Sequence, residues 1–117
     1  MLPYPVSANR YWRITPRGLK PSPEATKYKA RVGMLWLQSG AAHRIEGKVD
    51  VTINLHPRRN KDGSASETRL DLDNAIKVTL DALNGLAWGD DKQVFRINAE
   101  IGLPVDGGAL AVRVGAL

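Results

Sequence analysis

Cysteine is absent from the 117-residue chain. That one absence excludes disulfides, iron–sulfur clusters, thiolate zinc and a cysteine nucleophile together, and it fits a reducing cytoplasm. No apolar stretch approaches the ~20 residues that cross a bilayer, and the first residues lack a signal-peptide pattern. Internal repeats are also missing, and nothing marks a second domain. A chain of this length suits one domain, here residues 1–117, that removes roughly two-thirds of its extended surface from water on folding. The expectation is a soluble, basic, cytoplasmic domain with no membrane partner.

The charge that is present is unevenly placed. The chain carries 17 Lys+Arg against 12 Asp+Glu, a net +5. Residues 1–62 hold 12 of the cations and 4 acids, and residues 63–117 hold 5 cations and 8 acids. The basic part interleaves cations with rings, as in Arg10, Tyr11, Trp12, Arg13 and then Lys27, Tyr28, Lys29. Such a surface attracts phosphate backbones and offers faces on which bases can lie, although a solvated basic face has the same composition. The acidic part would repel a polyanion unless a cation intervenes.

Residues 1–21, broken by Pro3, Pro5, Pro16, Gly18 and Pro21, predict irregular structure. Ser22, Pro23 and Glu24 form a helix start, and Ala25, Tyr28, Val32, Leu35 and Trp36 recur at helical spacing up to Ser39-Gly40. Val49, Val51, Ile53 and Leu55 alternate with polar residues, which predicts a strand with one buried face. Residues 56–70 read as a mobile polar loop. A second helix is predicted over 72–84, with Leu72, Ile76, Leu80 and Leu83 as its apolar stripe and Asn84-Gly85 as its stop. Two alternating segments, 95–103 and 110–114, flank a Pro104–Gly108 turn and predict a hairpin. The class is α+β, a small mixed or antiparallel sheet with helices packed on one face.

Carboxylates concentrate on and after the second helix. Asp73, Lys77 and Asp81 share one helical stripe, and Asp71 precedes the helix at its positive end. Asp90 and Asp91 stand just before a strand, where a side chain can be aimed rigidly. Oxygen-only ligands suit Mg²⁺ or Mn²⁺. Two carboxylates 4 Å apart repel by about 4 kcal/mol at an effective dielectric of 20, so a gathered set favours a divalent cation. A purely structural alternative stands beside this: Asp71 as an N-cap, Asp73 and Asp81 paired with Lys77, and Asp90-Asp91 as a polar turn. Trp88 reads as a core or interface anchor. His43 and His56 are distant from each other and near no acidic pair, which argues against zinc or acid–base roles.

The run Asp71-Leu72-Asp73-Asn74, Lys77, Asp81-Ala82-Leu83-Asn84-Gly85 and Trp88-Gly89-Asp90-Asp91-Lys92-Gln93-Val94 resembles the RusA family of Holliday junction resolvases. Leu2-Pro3-Tyr4-Pro5 with Ser7, Asn9, Arg10 and Tyr11 is similar to that family's Pro-rich N-terminal segment. The resemblance implies a small RusA-like domain, a homodimeric Mg²⁺-dependent endonuclease that cuts four-way DNA junctions to 5′-phosphate and 3′-hydroxyl ends. Members are often encoded by phages and prophages. By motif position, Asp71, Asp73 and Asp91 would bind metal, Lys77 would assist, and Asp90 is the weaker candidate for the third ligand.

The expected DNA contacts are Arg10, Arg13, Lys27, Arg31, Arg58, Arg59, Lys61 and Arg69. Two departures from the family pattern stand out. The strand that usually precedes the Pro-rich segment is expected to be absent or to lie upstream of the sequence. An arginine run found before the motif in some relatives is reduced here to Arg69, with Arg58, Arg59 and Lys61 as its expected replacements. Two other functional classes remain open, a non-catalytic DNA-binding relative and another Mg²⁺-dependent phosphoesterase acting on nucleotides or RNA.

Overall fold

The computed structural model describes residues 2–5, 12–40 and 44–117, with the backbone alone for Trp12 and Arg13. Ser7, Asn9, Arg10, Tyr11 and His43 therefore lie outside the described residues. The elements run β1 (Trp12–Thr15), β2 (Gly18–Pro21), α1 (Pro23–Gln38), β3 (Val49–His56), α2 (Leu72–Leu83), a 3₁₀ turn (Asp91–Gln93), β4 (Val94–Ile101) and β5 (Ala109–Ala116). Among the described residues, two helices with a two-stranded and a three-stranded sheet make an α+β architecture, as expected.

Helix α1 starts as its sequence predicts. Ser22 Oγ accepts the Ala25 N–H at 3.1 Å, and Pro23 occupies the first turn, where no N–H is needed. Its buried face is Ala25, Tyr28 and Val32. Burial pushes the Tyr28 phenol far above its ordinary pKa, so it stays protonated and donates to the Pro3 carbonyl at 2.9 Å.

Strand β3 buries every second residue, Val49, Val51, Ile53 and Leu55, each with no exposed surface. Each such side chain contributes about 1.5–3 kcal/mol. A one-residue register slip would turn all four to solvent, so the register is tightly specified.

The apolar stripe of α2 is displaced from its predicted position. The buried residues are Ala75, Val78, Thr79, Ala82 and Leu83, whereas Leu72, Ile76 and Leu80 are half-buried at the margin of the core. Small side chains let the helix backbone approach the core closely, and the larger leucines fill the flanks. Thr79 is accommodated because its hydroxyl donates to the Ala75 carbonyl at 2.7 Å.

The predicted terminal hairpin does not form. The sheet order is β4-β3-β5, with β4 parallel and β5 antiparallel to β3. A parallel neighbour needs a crossover, and α2 supplies it. Residues 102–108 step over the end of β3, spanning two strand spacings of about 4.8 Å each. The turn is held there by the Arg59 N–H on the Val105 carbonyl and the Val105 N–H on the Pro57 carbonyl, both at 3.0 Å.

Three further expectations change. The segment predicted irregular contains the β1–β2 hairpin, whose prolines fall at the turn (Pro16) and the strand end (Pro21), where they remove no central ladder bond. Leu2 pairs with Leu110 across the β5 edge, at 2.6 and 2.9 Å, so the Pro-rich segment itself occupies part of the edge expected to be bare. The loop predicted mobile is pinned: Ser66 N–H reaches the Arg58 carbonyl at 2.8 Å, and Asp62 accepts twice from Ser64. Those bonds hold the Asp62 carboxyl below its usual pKa.

Replacing Ser22 with Ala removes the cap of α1 and should lower stability by about 1 kcal/mol. In urea unfolding, the midpoint should fall with an unchanged slope, and an unchanged midpoint would show that the cap contributes nothing.

Candidate active site

At the start of α2, three charged groups make no side-chain hydrogen bond or ion pair among the described residues. Asp71 occupies the N-cap position in extended conformation, yet its side chain makes no capping bond. Asp73 and Lys77 follow on the first two turns, and all three residues are exposed. Among the described residues, neither the Asp73 carboxylate nor the Lys77 ammonium has a hydrogen-bond or ion-pair partner. The structural alternative required a cap from Asp71 and a pair between Asp73 and Lys77. Neither is present. Asp81, on the same stripe, is engaged otherwise: it pairs with Lys29 of α1 at 3.5 Å and ties the helices together.

The two acids before β4 are also distinguishable. Asp90 caps the 3₁₀ turn, its carboxylate accepting the Lys92 N–H at 2.9 Å. Gln93 closes the box from the other side. Its Oε1 accepts from the Gly89 and Asp90 N–H groups at 2.9 and 3.0 Å, and its Nε2 donates to the Ile45 and Gly47 carbonyls at 2.8 and 3.0 Å.

Asp91 is exposed, and its Oδ1 accepts from Nε1 of the fully buried Trp88 at 2.8 Å. Trp88 is thus the expected core anchor, and it also aims Asp91. Gln93 was missed as a supporting residue, although the Asp-x-x-Gln spacing of a capping box was legible.

The acids do not gather within one chain. No group of three or more His, Asp or Glu side chains suitable for an ion occurs among the described residues. The topology explains this. Asp71 and Asp73 lie at the N-terminus of α2, beyond the end of β3, whereas Asp91 precedes parallel β4 at the opposite end of the sheet. The 12-residue helix between them rises about 18 Å. The donor set still fits a hard cation, because Mg²⁺ commonly takes only one or two protein carboxylates and keeps several waters.

The cations are spread over several elements. Lys27 and Arg31 are exposed one turn apart on α1. Arg58 lies 4.8 Å over the ring of Tyr4, and Lys61 stands exposed in the following turn. Arg59 is committed to the Pro104 carbonyl at 3.2 Å and to Asp106 at 3.5 Å. Arg69, next to the acidic motif, is exposed and donates to the Leu70 carbonyl at 3.1 Å. Arg13 belongs to β1 by its backbone, and Arg10 is outside the described residues.

Surface cavities of about 270 and 280 Å³ include none of these acids. The acids face open solvent, which suits a polymeric substrate better than an enclosed small molecule.

Exposed carboxylates beside a lysine, on a domain rich in exposed cations, are compatible with a protein that acts on a phosphodiester backbone. The model of the family described as "Endodeoxyribonuclease RusA" matches residues 3–114. The chain is 30% identical over 119 residues to the "Crossover junction endodeoxyribonuclease rusA" of Enterobacteria phage HK97, an alignment covering 100% of this chain and 92% of that protein. The chain belongs to the RusA family of junction-resolving endodeoxyribonucleases. No helix among the described residues is long and apolar enough to cross a membrane.

The different tasks of Asp90 and Asp91 can be separated. Asp90→Ala should cost about 1 kcal/mol of stability through its lost cap while cleavage stays within a few-fold of wild type. Asp91→Asn keeps an acceptor for the Trp88 indole and should unfold normally but lose cleavage. Equal cleavage losses in both variants would remove the distinction.

Proposed function

We propose that this chain is a homodimeric, Mg²⁺-dependent endonuclease, with Mn²⁺ able to substitute, that resolves four-way DNA junctions by paired symmetric cuts. The observation that carries this reading is the set of exposed Asp71, Asp73 and Lys77 at the start of α2, whose side chains have no hydrogen-bond or ion-pair partner among the described residues. The likeness to a crossover junction endodeoxyribonuclease supports the substrate class.

Asp71, Asp73 and Asp91 would hold the metal, which supplies the positive charge that polarises the scissile phosphate and acidifies the attacking water. The water oxygen bonds to phosphorus, the bond from phosphorus to the 3′ oxygen breaks, and that oxygen takes a proton. The ends are then a 5′-phosphate and a 3′-hydroxyl. Lys77 would offset the negative charge developing on the phosphate and the leaving oxygen. Exposed Lys27, Arg31, Arg58, Lys61 and Arg69 would hold the DNA arms by charge, with strong salt dependence.

The dimer is supported by symmetry and by distance. Two matched cuts suit a two-fold enzyme on a two-fold substrate. The separation of Asp91 from Asp71 and Asp73 along α2 also means that one ion can meet all three only if two copies contribute. In this arrangement, the motif start of one protomer faces Asp91 of its partner.

Asp73→Asn should abolish cleavage of a synthetic four-way junction in Mg²⁺ while junction binding persists. Lys77→Ala should bind normally and cut slowly, by a factor of about 10² or more. Wild-type rates in either variant would overturn that residue's role.

Mixing inactive Asp73→Asn and Asp91→Asn proteins should restore nicking, because one of the two shared sites in a mixed dimer is intact. No recovery after subunit exchange would place each site within a single chain. Competition with linear duplex, RNA and mononucleotides tests the substrate class, and preferential cutting of any of these would replace the junction reading.

A further inference from the structure

We propose that Tyr4 is a positioning residue that locks the metal-ligating start of α2 and the phosphate-binding Arg58 into one unit. The proposal deepens the junction-cutting reading and rests on it for the roles of Asp71 and Arg58. Tyr4 is half-buried, and it meets three segments remote from it in sequence.

Its phenolic oxygen accepts the Leu70 N–H at 2.7 Å. Leu70 directly precedes Asp71, whose exposed carboxylate makes no capping bond, so the direction of that carboxylate depends on the backbone that Tyr4 fixes. The Tyr4 ring carries the Arg58 guanidinium at 4.8 Å. Arg58 is exposed and has no acidic partner among the described residues, so the ring is what restrains its long side chain. A cation already held on an aromatic face loses less rotamer freedom when a phosphate binds it.

The third contact is Gly108. At φ +74° its backbone lies against the ring, and a Cβ there would sit 2.6 Å from Tyr4 Cδ2 and 3.2 Å from Arg58 Cγ. Only a glycine admits both side chains. The neighbours of Tyr4 are fixed as well, Pro3 by the Tyr28 hydroxyl at 2.9 Å and Leu2 by its bridge to Leu110. The Pro-rich segment is therefore anchored on both sides of an aromatic ring that links the acidic motif to a basic loop.

The hydroxyl and the ring carry separable parts of this role. Tyr4→Phe keeps the ring and removes the acceptor. It should cut a junction about tenfold more slowly and need a higher Mg²⁺ concentration for half-maximal rate, while a single cooperative melting transition persists with its midpoint lowered by only a few degrees. Its junction affinity in EDTA, read by fluorescence anisotropy, should equal that of wild type.

Tyr4→Leu also removes the platform. Its EDTA affinity should fall several-fold, and the slope of log affinity against log salt should shrink by about 0.9, the share of one phosphate. Arg58→Ala should show the same slope, and the Tyr4→Leu, Arg58→Ala double variant should bind no more weakly than either single.

The proposal is overturned if Tyr4→Phe cuts at the wild-type rate with the wild-type Mg²⁺ midpoint. Additive binding losses in the double variant, or an unchanged salt slope in Tyr4→Leu, also overturn it. If Tyr4→Leu fails to fold, Tyr4→Phe still decides the link to α2. A wild-type protein that leaves junctions intact refutes the junction reading instead, and the binding measurements still judge the Tyr4–Arg58 link.

Discussion

Burial of one face of β3 is the constraint from which the rest of the structure follows. Val49, Val51, Ile53 and Leu55 lose all contact with solvent, and together they contribute roughly 6–12 kcal/mol, comparable to the net stability of a small domain. A strand with this much at stake takes the centre of the sheet and is paired on both edges. The parallel pairing with β4 demands a helical crossover, and α2 must lay its small-residue face, Ala75 and Ala82 among it, on the core. The position of every acid in the motif is set by that packing.

The chemistry inherits the geometry. Because α2 runs antiparallel to β3 and β4, its positive end emerges with Asp71 and Asp73 at one end of the sheet, and Asp91 emerges at the other. The acids also divide by task. Asp81 and Asp90 are consumed by Lys29 and the Lys92 N–H, whereas the carboxylates of Asp71 and Asp73 have no hydrogen-bond or ion-pair partner among the described residues. Asp91 stands between these cases, with one oxygen on a buried indole. Around them, Tyr4, Trp88 and Gln93 add orientation without charge.

Much of the local structure was legible in the residues. Ser22-Pro23-Glu24 marked the start of α1, and Asn84-Gly85 marked the end of α2, because caps and stops depend on near neighbours alone. The alternation of β3 was equally plain. The order of the strands was not. Two alternating segments around a short glycine-containing turn look the same whether they pair with each other or flank a third strand. The stripe of α2 was misjudged because leucines outweigh alanines in hydrophobicity, while close packing selects the alanines. The β1–β2 hairpin was hidden by prolines that fall only where a ladder tolerates them.

The candidate site was legible as a set of residues and not as an arrangement. Spacing along the chain grouped Asp71, Asp73, Lys77, Asp81, Asp90 and Asp91, the family resemblance picked Asp71, Asp73, Lys77 and Asp91 from among them, and an oxygen-only ligand set followed from the lack of cysteine. Periodicity and spacing report what one segment does within a few residues, so they determined the helix ends, the buried strand and the chemical character of the motif. Which acids are spent on the fold, which remain free and how far apart they stand are matters of long-range contact. Only the tertiary structure decided these, because a Lys29–Asp81 pair, a Tyr4–Leu70 bond or the length of a crossover helix between two acids joins residues whose sequence neighbours carry no trace of one another.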